Sequence, residues 1–434
     1  MANLYHTQPL ATTENKYVST YLGEVLMVLS RSIINMGALE QILTEPTCQP
    51  RFRLFLLNPD ETIDTEIPQS DIILNTGSYN ENYQQGQRRN VNISLVNSDG
   101  KYTPSLNTIW VHNRFRFDVG VEYQGNVFWF PKGIYILGNP TATHSDSDRQ
   151  VNLTLVDKFA LLEGKQGTLE ATYEIPVGTD IYSAIIGLLT LDNGTGYPID
   201  VQPVVYDSAF KGMKTPYTLT KDAGSTIGEM ILDLATMLNA ECFYNAYGNL
   251  CFININETID DSNKPVLWDY SDLLAEYLQS QAVFDFENCV NEIRVVGDNI
   301  NNEIFSAYAQ NTNPESPICI QNIGRRISYI NDSNIYSDEL AQDRADYELR
   351  KAGILNTSFT MEVSFNPLLL VNNLITVRDS FFNLNRSKFL IQSIAYNIGS
   401  DSKVTLTVSN LTNFGYRELP SYIQVEEVQS LNEQ

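Results

Sequence analysis

Residues 133–137 read Gly-Ile-Tyr-Ile-Leu and lead, through the polar turn His144-Ser-Asp-Ser-Asp-Arg-Gln150, into Val151-Asn-Leu-Thr-Leu-Val-Asp157. Residues 388–394 read Lys-Phe-Leu-Ile-Gln-Ser-Ile, and after Gly399-Ser-Asp-Ser402 comes Lys403-Val-Thr-Leu-Thr-Val-Ser-Asn410. In both copies the second strand alternates Val or Leu with Asn or Thr. One face of each strand therefore goes to a core and the other to solvent or a partner. A strand pair written twice, once near the end of each half, predicts two similar β-domains in one polypeptide. Such a duplication makes two comparable surfaces and no single cleft, which suits an assembly part better than an enzyme.

Outward from these strands the text changes character several times. Residues 17–43 space Val18, Leu22, Val25, Leu29, Ile33, Met36 and Leu39 as on an amphipathic helix. That segment with its flanks gives an expected N-terminal helical arm at 1–48. Short strand candidates with Asn, Asp and Gly turns fill 49–164: Phe52 to Leu57, Arg89 to Val96, Arg114 to Tyr123 and Val127 to Phe130 precede the repeated pair. Their spacing reads as a barrel or a sandwich. Residues 165–284 form a mixed α/β insertion. Helices are expected over Asp180 to Leu191 and Ser225 to Leu238, the second capped either by a Thr226/Glu229 capping box or by Gly224-Ser225, then a hairpin Phe243 to Phe252 and a short helix Trp268 to Leu278. Strands return in the expected second β-domain, 285–414, beginning with Asn291 to Asp298 and interrupted by a helix from Ser337 to Ala352. An acidic tail, 415–434, carries Glu418, Glu426, Glu427 and Glu433.

The totals narrow the function classes. The chain has 434 residues, more than one ordinary core accommodates, and 43% of them are apolar, enough for real cores. With 28 basic against 52 acidic side chains the net charge is -24, which disfavours tight binding of nucleic acid through phosphate neutralisation. The five cysteines, Cys48, Cys242, Cys251, Cys289 and Cys319, are odd in number and never in a C-x-x-C pair, so neither a disulfide framework nor a zinc cage is indicated. Cys242 and Cys251 flank the expected turn at Asn245-Ala-Tyr-Gly248, which leaves open whether they face each other. Met1 to Pro9 is polar and no stretch reaches the roughly 18 apolar residues of a membrane span, so assembly in water without stable membrane association is expected.

Motifs for chemistry are weak. His144, Ser145 and Asp146 are consecutive in a turn, whereas a triad converges across a fold. Asp146, Asp148 and Asp157 lack the Gly of a calcium loop, Val151 standing in its place. Gly194 and Gly196 are followed by Ile199 where a dinucleotide fingerprint needs its third Gly. No catalytic, cofactor or metal residue is assigned. Three basic clusters, Arg88-Arg89, Arg114 with Arg116, and Arg325-Arg326, are expected either to pair with carboxylates across subunit interfaces or to form intrachain pairs. The 24 Tyr and 19 Phe suit barrel cores, interfaces and sugar platforms alike.

Four stretches then carry a likeness. They are Val91-Asn-Ile-Ser-Leu-Val-Asn-Ser-Asp-Gly100-Lys-Tyr-Thr-Pro104 with Gly133 to Ile136; Thr226 to Phe252; Phe286-Glu-Asn-Cys-Val-Asn-Glu-Ile-Arg-Val-Val-Gly-Asp298; and Ala341 to Lys351 with Asn366-Pro-Leu, Asn373-Leu-Ile-Thr-Val377 and the final hairpin. In this order they resemble the tail hub, or baseplate hub, proteins of tailed bacteriophages and related phage-like particles, over most of residues 50–412. One departure is Asn372-Asn373, where the family pattern has Gly-Asp; Asn tolerates the same turn conformation. The resemblance implies a mainly β chain with two tube-like β-barrel domains separated by the α/β region. It implies a homotrimer forming a ring of pseudo-sixfold symmetry, which adapts a hexameric tail tube, or a distal tail protein, to a trimeric central spike or tail-tip protein among other baseplate proteins. It further implies a virion component assembled in the host cytoplasm, with DNA present only in transit through the lumen. The acid excess predicts carboxylates on the wall of that lumen. The alternatives are a β-rich carbohydrate- or receptor-binding tail component and a cell-wall hydrolase, for which no stretch with a paired-carboxylate or metal pattern is left over.

Overall fold

A computed structural model describes residues 49–410 apart from 107, 124–125, 147–148, 193, 195, 256–265, 285–286, 301–302, 315, 317, 356 and 401–402. The N-terminal helical arm, Cys48 and the acidic tail lie outside the described residues, as does Asp148. The described chain forms two compact units, 49–281 with 359–408 and 282–358 with 409–410.

The first unit opens with β1 (Pro50–Leu57), β2 (Ile63–Ile67), β3 (Ile72–Asn82), β4 (Arg89–Val96), β5 (Arg114–Tyr123), β6 (Asn126–Leu137), β7 (Thr141–His144) and β8 (Arg149–Asp157). Alternation decides their faces. In β8, Val151, Leu153 and Leu155 are buried while Asn152 and Thr154 are partly open, as the repeated pattern predicts. β1 and β5 pair antiparallel with Arg53 opposite Asp118. That pair forms a salt bridge at 2.8 Å, its carboxylate fully buried, while Phe52 and Phe117 stack.

The α/β region follows, with β9 (Tyr173–Ile175), α1 (Ile181–Leu189), β10 (Val205–Tyr206), β11 (Leu219–Lys221), α2 (Ile227–Met237), β12 (Ala240–Tyr244) and β13 (Leu250–Asn254). Asp180 caps α1 by accepting from the Ser183 N–H, and α2 carries the full Thr226/Glu229 capping box. β12 and β13 form the expected hairpin. At its turn Asn245 Oδ1 accepts from the Tyr247 and Asn249 N–H groups at 3.0 Å, and Gly248 takes φ 79°. The register sets Cys242 opposite Phe252 and Phe243 opposite Cys251, so the two thiols are not opposed; both are buried and neither is in a disulfide.

The short helix expected over Trp268 to Leu278 is replaced by two strands, β14 (Val266–Ser271) and β15 (Tyr277–Phe284), around a turn. Leu273, Leu274 and Leu278 stay exposed, so the segment buries no apolar stripe that a helix would need. The second unit is a three-stranded sheet, β16 (Glu292–Ile300), β17 (Glu303–Gln310) and β18 (Ile327–Asp332), in the order β17-β16-β18, with the one-turn α3 (Ile320–Ile323) and the long α4 (Asp338–Leu355). α4 lays Leu340, Ala341, Ala345 and Leu349 on Ile293, Val295 and Ala309.

The chain then returns to the first unit through β19 (Thr357–Ser364), β20 (Leu374–Asp379), β21 (Leu384–Ile398) and β22 (Lys403–Asn410). Before β20, Asn372 sits at φ 64°, the left-handed turn conformation its residue type allows. β22 repeats the alternation of β8: Val404, Leu406 and Val408 are buried and Lys403 and Thr405 exposed. The unit is mainly β. One 14-stranded sheet runs β15-β19-β22-β21-β3-β4-β8-β6-β5-β1-β2, with β7 on β8, β20 on β21 and β14 on β20. The two halves join where Tyr396 of β21 pairs Tyr79 of β3. Their rings stack at 4.7 Å, and Tyr396 meets Phe365 while Tyr79 meets Phe117, so one aromatic core spans both halves. The pairing path is open, and no closed barrel is found among the described residues.

Candidate assembly surface

The side of this sheet turned away from the core is unusual in composition. Across the junction Asn397 opposes Ser78 and Ala395 opposes Asn80. Asn80 and Ser78 oppose Asn90 and Asn92, Asn92 opposes Thr154, and Asn152 opposes Thr141 of β7. Neighbouring amides bond one another along this row: Asn80 Nδ2 donates to Asn90 Oδ1 at 3.1 Å and Asn92 Nδ2 to Ser78 Oγ at 3.3 Å. On the other side of the junction Gln279 of β15 donates to Glu362 of β19 at 2.8 Å, and Lys403 of β22 pairs with the same carboxylate at 2.8 Å. A shallow depression of about 300 Å³ lies on the junction, bounded by Asn80, Asn397, Lys403 and Thr405. The face thus spans eight strands, β15, β19, β22 and β21 on one side of the junction, then β3, β4, β8 and β7 on the other. Its two outer strands, β15 and β7, each have a single partner strand among the described residues.

The basic clusters go elsewhere. Arg88 and Arg89 are buried: Arg88 pairs with Glu241 and lies 3.6 Å from the Phe243 ring centre, and Arg89 bonds Glu81 at 2.8 Å and the Tyr244 carbonyl at 2.7 Å. Both therefore fasten the start of β4 to the β12/β13 hairpin. Arg114 bonds Glu61 at 2.6 Å and the Ile199 carbonyl at 2.8 Å, and Arg116 bonds Asp118 at 2.7 Å. Arg325 grips both oxygens of Glu292 at 2.7 Å; burial works to raise that carboxyl, but the bonds from Arg325, Arg294 and Gln310 prevail and hold it below the usual carboxylate range. The Arg326 backbone N–H donates to Asn291 Oδ1 at 2.7 Å, and its Nη1 donates to the Glu287 carbonyl at 3.4 Å. These pairs are within the chain.

Beneath Arg114 lies a group that the sequence did not single out. Lys158, fully buried, bonds Asp200 at 2.6 Å, Glu61 at 2.8 Å and the Gly248 carbonyl at 2.8 Å, while Tyr244 Oη donates to Asp200 at 2.6 Å. A lone Lys at a strand end carries no sequence signal, because its partners are remote in the chain. His144, Ser145 and Asp146 are exposed at the β7 turn and converge on nothing catalytic. Gly194 and Gly196 fold around Asp192, whose Oδ1 accepts both N–H groups at 2.9 and 3.0 Å, so this is a loop and not a phosphate cradle. Among the described residues no group of three or more His, Cys, Asp or Glu is placed to hold a metal ion, and no helix is long and apolar enough to cross a membrane.

A family model described as a domain of unknown function, DUF5048, matches residues 315–414. No curated protein matches. The crystal structure of the prophage MuSo2 43 kDa tail protein from Shewanella oneidensis is 12% identical, with a TM-score of 0.53, covering 82% of this chain and 97% of that one. The tail protein from Neisseria meningitidis MC58 is 10% identical, with a TM-score of 0.51 and coverage of 83% and 96%. The chain has the fold of phage tail proteins.

Proposed function

We propose that the chain is a structural tail hub: a homotrimer whose subunits each give two tube-like β-domains to a pseudo-sixfold ring, adapting a hexameric tail tube to a trimeric spike or tail tip and giving DNA a conduit. The observation that carries this reading is the eight-strand face of the 14-stranded sheet, in which the alike strands β22 and β8 each stand third in their blocks of four, β15-β19-β22-β21 and β3-β4-β8-β7, and which ends in the open edges of β15 and β7. Open strand edges template pairing with another chain, and a head-to-tail contact closes into a ring when its rotation allows. Three copies present six comparable four-stranded blocks, the number a sixfold tube requires. The tail-protein fold supports a virion component with the tube or a distal tail protein on one side and the spike on the other. Assembly in the host cytoplasm follows from the same reading. A carbohydrate-binding role is less well served, because none of the side chains named on the polar face is an aromatic platform.

Light scattering on the purified chain at micromolar concentration, with negative-stain imaging, tests the proposal. A trimer, or a monomer that trimerises on its tube partner, with rings holding a central hole, is expected. A stable dimer or tetramer overturns it. Glycan-array binding would favour the receptor-binding reading instead, and wall-clearing activity a hydrolase.

A further inference from the structure

Lys158 follows directly on β8, and Asp200 stands in the segment between α1 and β10, 42 positions on. With Glu61 they form a cluster that the proposed assembly does not use. Lys158 Nζ donates to Asp200 Oδ1 at 2.6 Å and to Glu61 Oε1 at 2.8 Å, and the Gly248 carbonyl at 2.8 Å is its third acceptor. All three side chains are fully closed to solvent. Both oxygens of Asp200 also take a further donor: Oδ2 the Tyr244 hydroxyl at 2.6 Å, and Oδ1 the Gln202 N–H at 3.0 Å. Arg114 fixes Glu61 through Oε1 at 2.6 Å, while Oε2 is buried without a hydrogen-bond partner among the described residues. Glu61 reaches this position from φ 63°, a backbone conformation uncommon outside glycine. We propose that Lys158 and Asp200 condense into an intramolecular amide, with Glu61 carrying the protons. The proposal goes beyond the hub reading and does not depend on it.

The distances above are those of the reactants. Nζ touches an oxygen bonded to the carbon it attacks, so the condensation of an amine with a carboxyl becomes an intramolecular reaction. Glu61 takes a proton from the Lys158 ammonium and passes it to Asp200 Oδ1, which leaves an amine beside a carboxylic acid. A site closed to water eases the exchange of an ion pair for this neutral pair, since charges kept from water are costly. The Nζ lone pair then forms the bond to Cγ while the C=O electron pair moves onto Oδ2, where the Tyr244 hydroxyl donates to the developing charge. Glu61 takes a second proton from the nitrogen and gives it to Oδ1. The Cγ–Oδ1 bond breaks, water leaves and the carbonyl reforms at Oδ2. Nitrogen has lost two protons and Asp200 one oxygen, Glu61 ends ionised as it began, and no oxidant or reductant is required. The unpartnered Oε2 gives each proton in transit an acceptor with no competing donor. The product ties the end of β8 covalently to the α/β region, a link that denaturant cannot undo.

The test is the intact mass of the purified full chain under denaturing conditions, followed by protease digestion and fragment sequencing. Wild type is expected to be lighter than its sequence by the mass of one water and to yield a branched peptide joining Lys158 to Asp200. Lys158→Arg, which keeps the positive charge, and Glu61→Gln, which removes the proton carrier, are each expected to show the full sequence mass and no branched peptide. Wild type at full mass overturns the proposal and leaves an ion pair only. A water lost without the branched peptide, or lost equally in Lys158→Arg, also overturns it, because the dehydration then lies elsewhere. A branched peptide in Glu61→Gln overturns the role given to Glu61. The wild-type measurement decides the amide by itself, so a variant that fails to fold does not blunt the test. Oligomeric state enters none of these readouts, so the hub reading stands or falls separately.

Discussion

At the scale of single residues the buried ions decide most. Removing Arg89 leaves the fully buried Glu81 with only the Tyr79 hydroxyl, which donates to it at 3.0 Å. Arg89→Ala is therefore expected to destabilise by about 3–5 kcal/mol. Arg386→Ala, which breaks a pair whose arginine is 70% exposed, is expected to change stability by less than about 1 kcal/mol. Urea midpoints of the two variants decide it, and equal losses contradict the assignment of Arg89 to a buried pair. Glu276 works in the opposite sense. Burial pushes its carboxyl above the ordinary range, Trp268 Nε1 donates to one oxygen at 3.4 Å, and the other has no hydrogen-bond partner. A carboxyl raised in the folded state gives stability that is whole below the unfolded value of about 4.3 and is lost as pH rises through the folded value. Glu276→Gln cannot ionise, so it should exceed wild type in stability at pH 7 and lose that advantage near pH 4; a constant difference across this range refutes the explanation. None of these partners was legible in the sequence. Arg88-Arg89 stood out as a basic pair, but Glu241 and Tyr244 come from a hairpin about 150 residues on, and only the fold brings them together.

At the scale of elements, what the sequence showed was what local chemistry sets. The alternation of β8 and β22, the capping box of α2 and the Asn-Ala-Tyr-Gly turn are each specified by residues within one short window, and the structure contains them all. Thr226→Ala should accordingly cost about 1 kcal/mol, read as a drop in the thermal midpoint. The helix expected over Trp268 to Leu278 failed for the complementary reason. β14 is a strand because it lies parallel to β20, with Tyr270 opposite Val377, and that partner is more than a hundred residues away. The junction between the halves is also invisible from either side of it. There Gly77 opposes Ile398, and a Cβ at position 77 would stand 2.4 Å from the Asn92 carbonyl oxygen. Backbone cannot yield as a side-chain end can, so Gly77→Ala should force β3 and β4 apart. A loss of at least about 2 kcal/mol is expected, together with faster amide exchange in β21. An unchanged midpoint would show that the junction contributes little to the fold.

At the scale of the whole molecule the duplication, the open sheet and the charge act together. In the proposed ring, the pairing of β3 with β21 inside each chain would supply one of the contacts between like blocks, and the contact between copies would be left to form. On the eight-strand face the strands available for it are β15 and β7, each with one partner strand among the described residues, as β2 and β14 also have elsewhere in the sheet. Such edges are an aggregation hazard in a monomer unless something restrains them. Here β7 is only four residues long and fully exposed, and short edge strands pair weakly alone, which favours closure with a correctly placed copy over indefinite stacking. Amide hydrogen exchange tests this directly. In the dilute monomer the N–H groups of β7 and β15 that point away from their single partner strands should exchange within seconds, while those of β4 and β8, paired on both sides, stay protected. On assembly the β7 and β15 amides should gain protection of at least tenfold and the β4 and β8 amides should change little. Protection gained instead at β18, the edge of the separate three-stranded sheet, would show that the copies meet through that unit and would dissociate the ring from the eight-strand face.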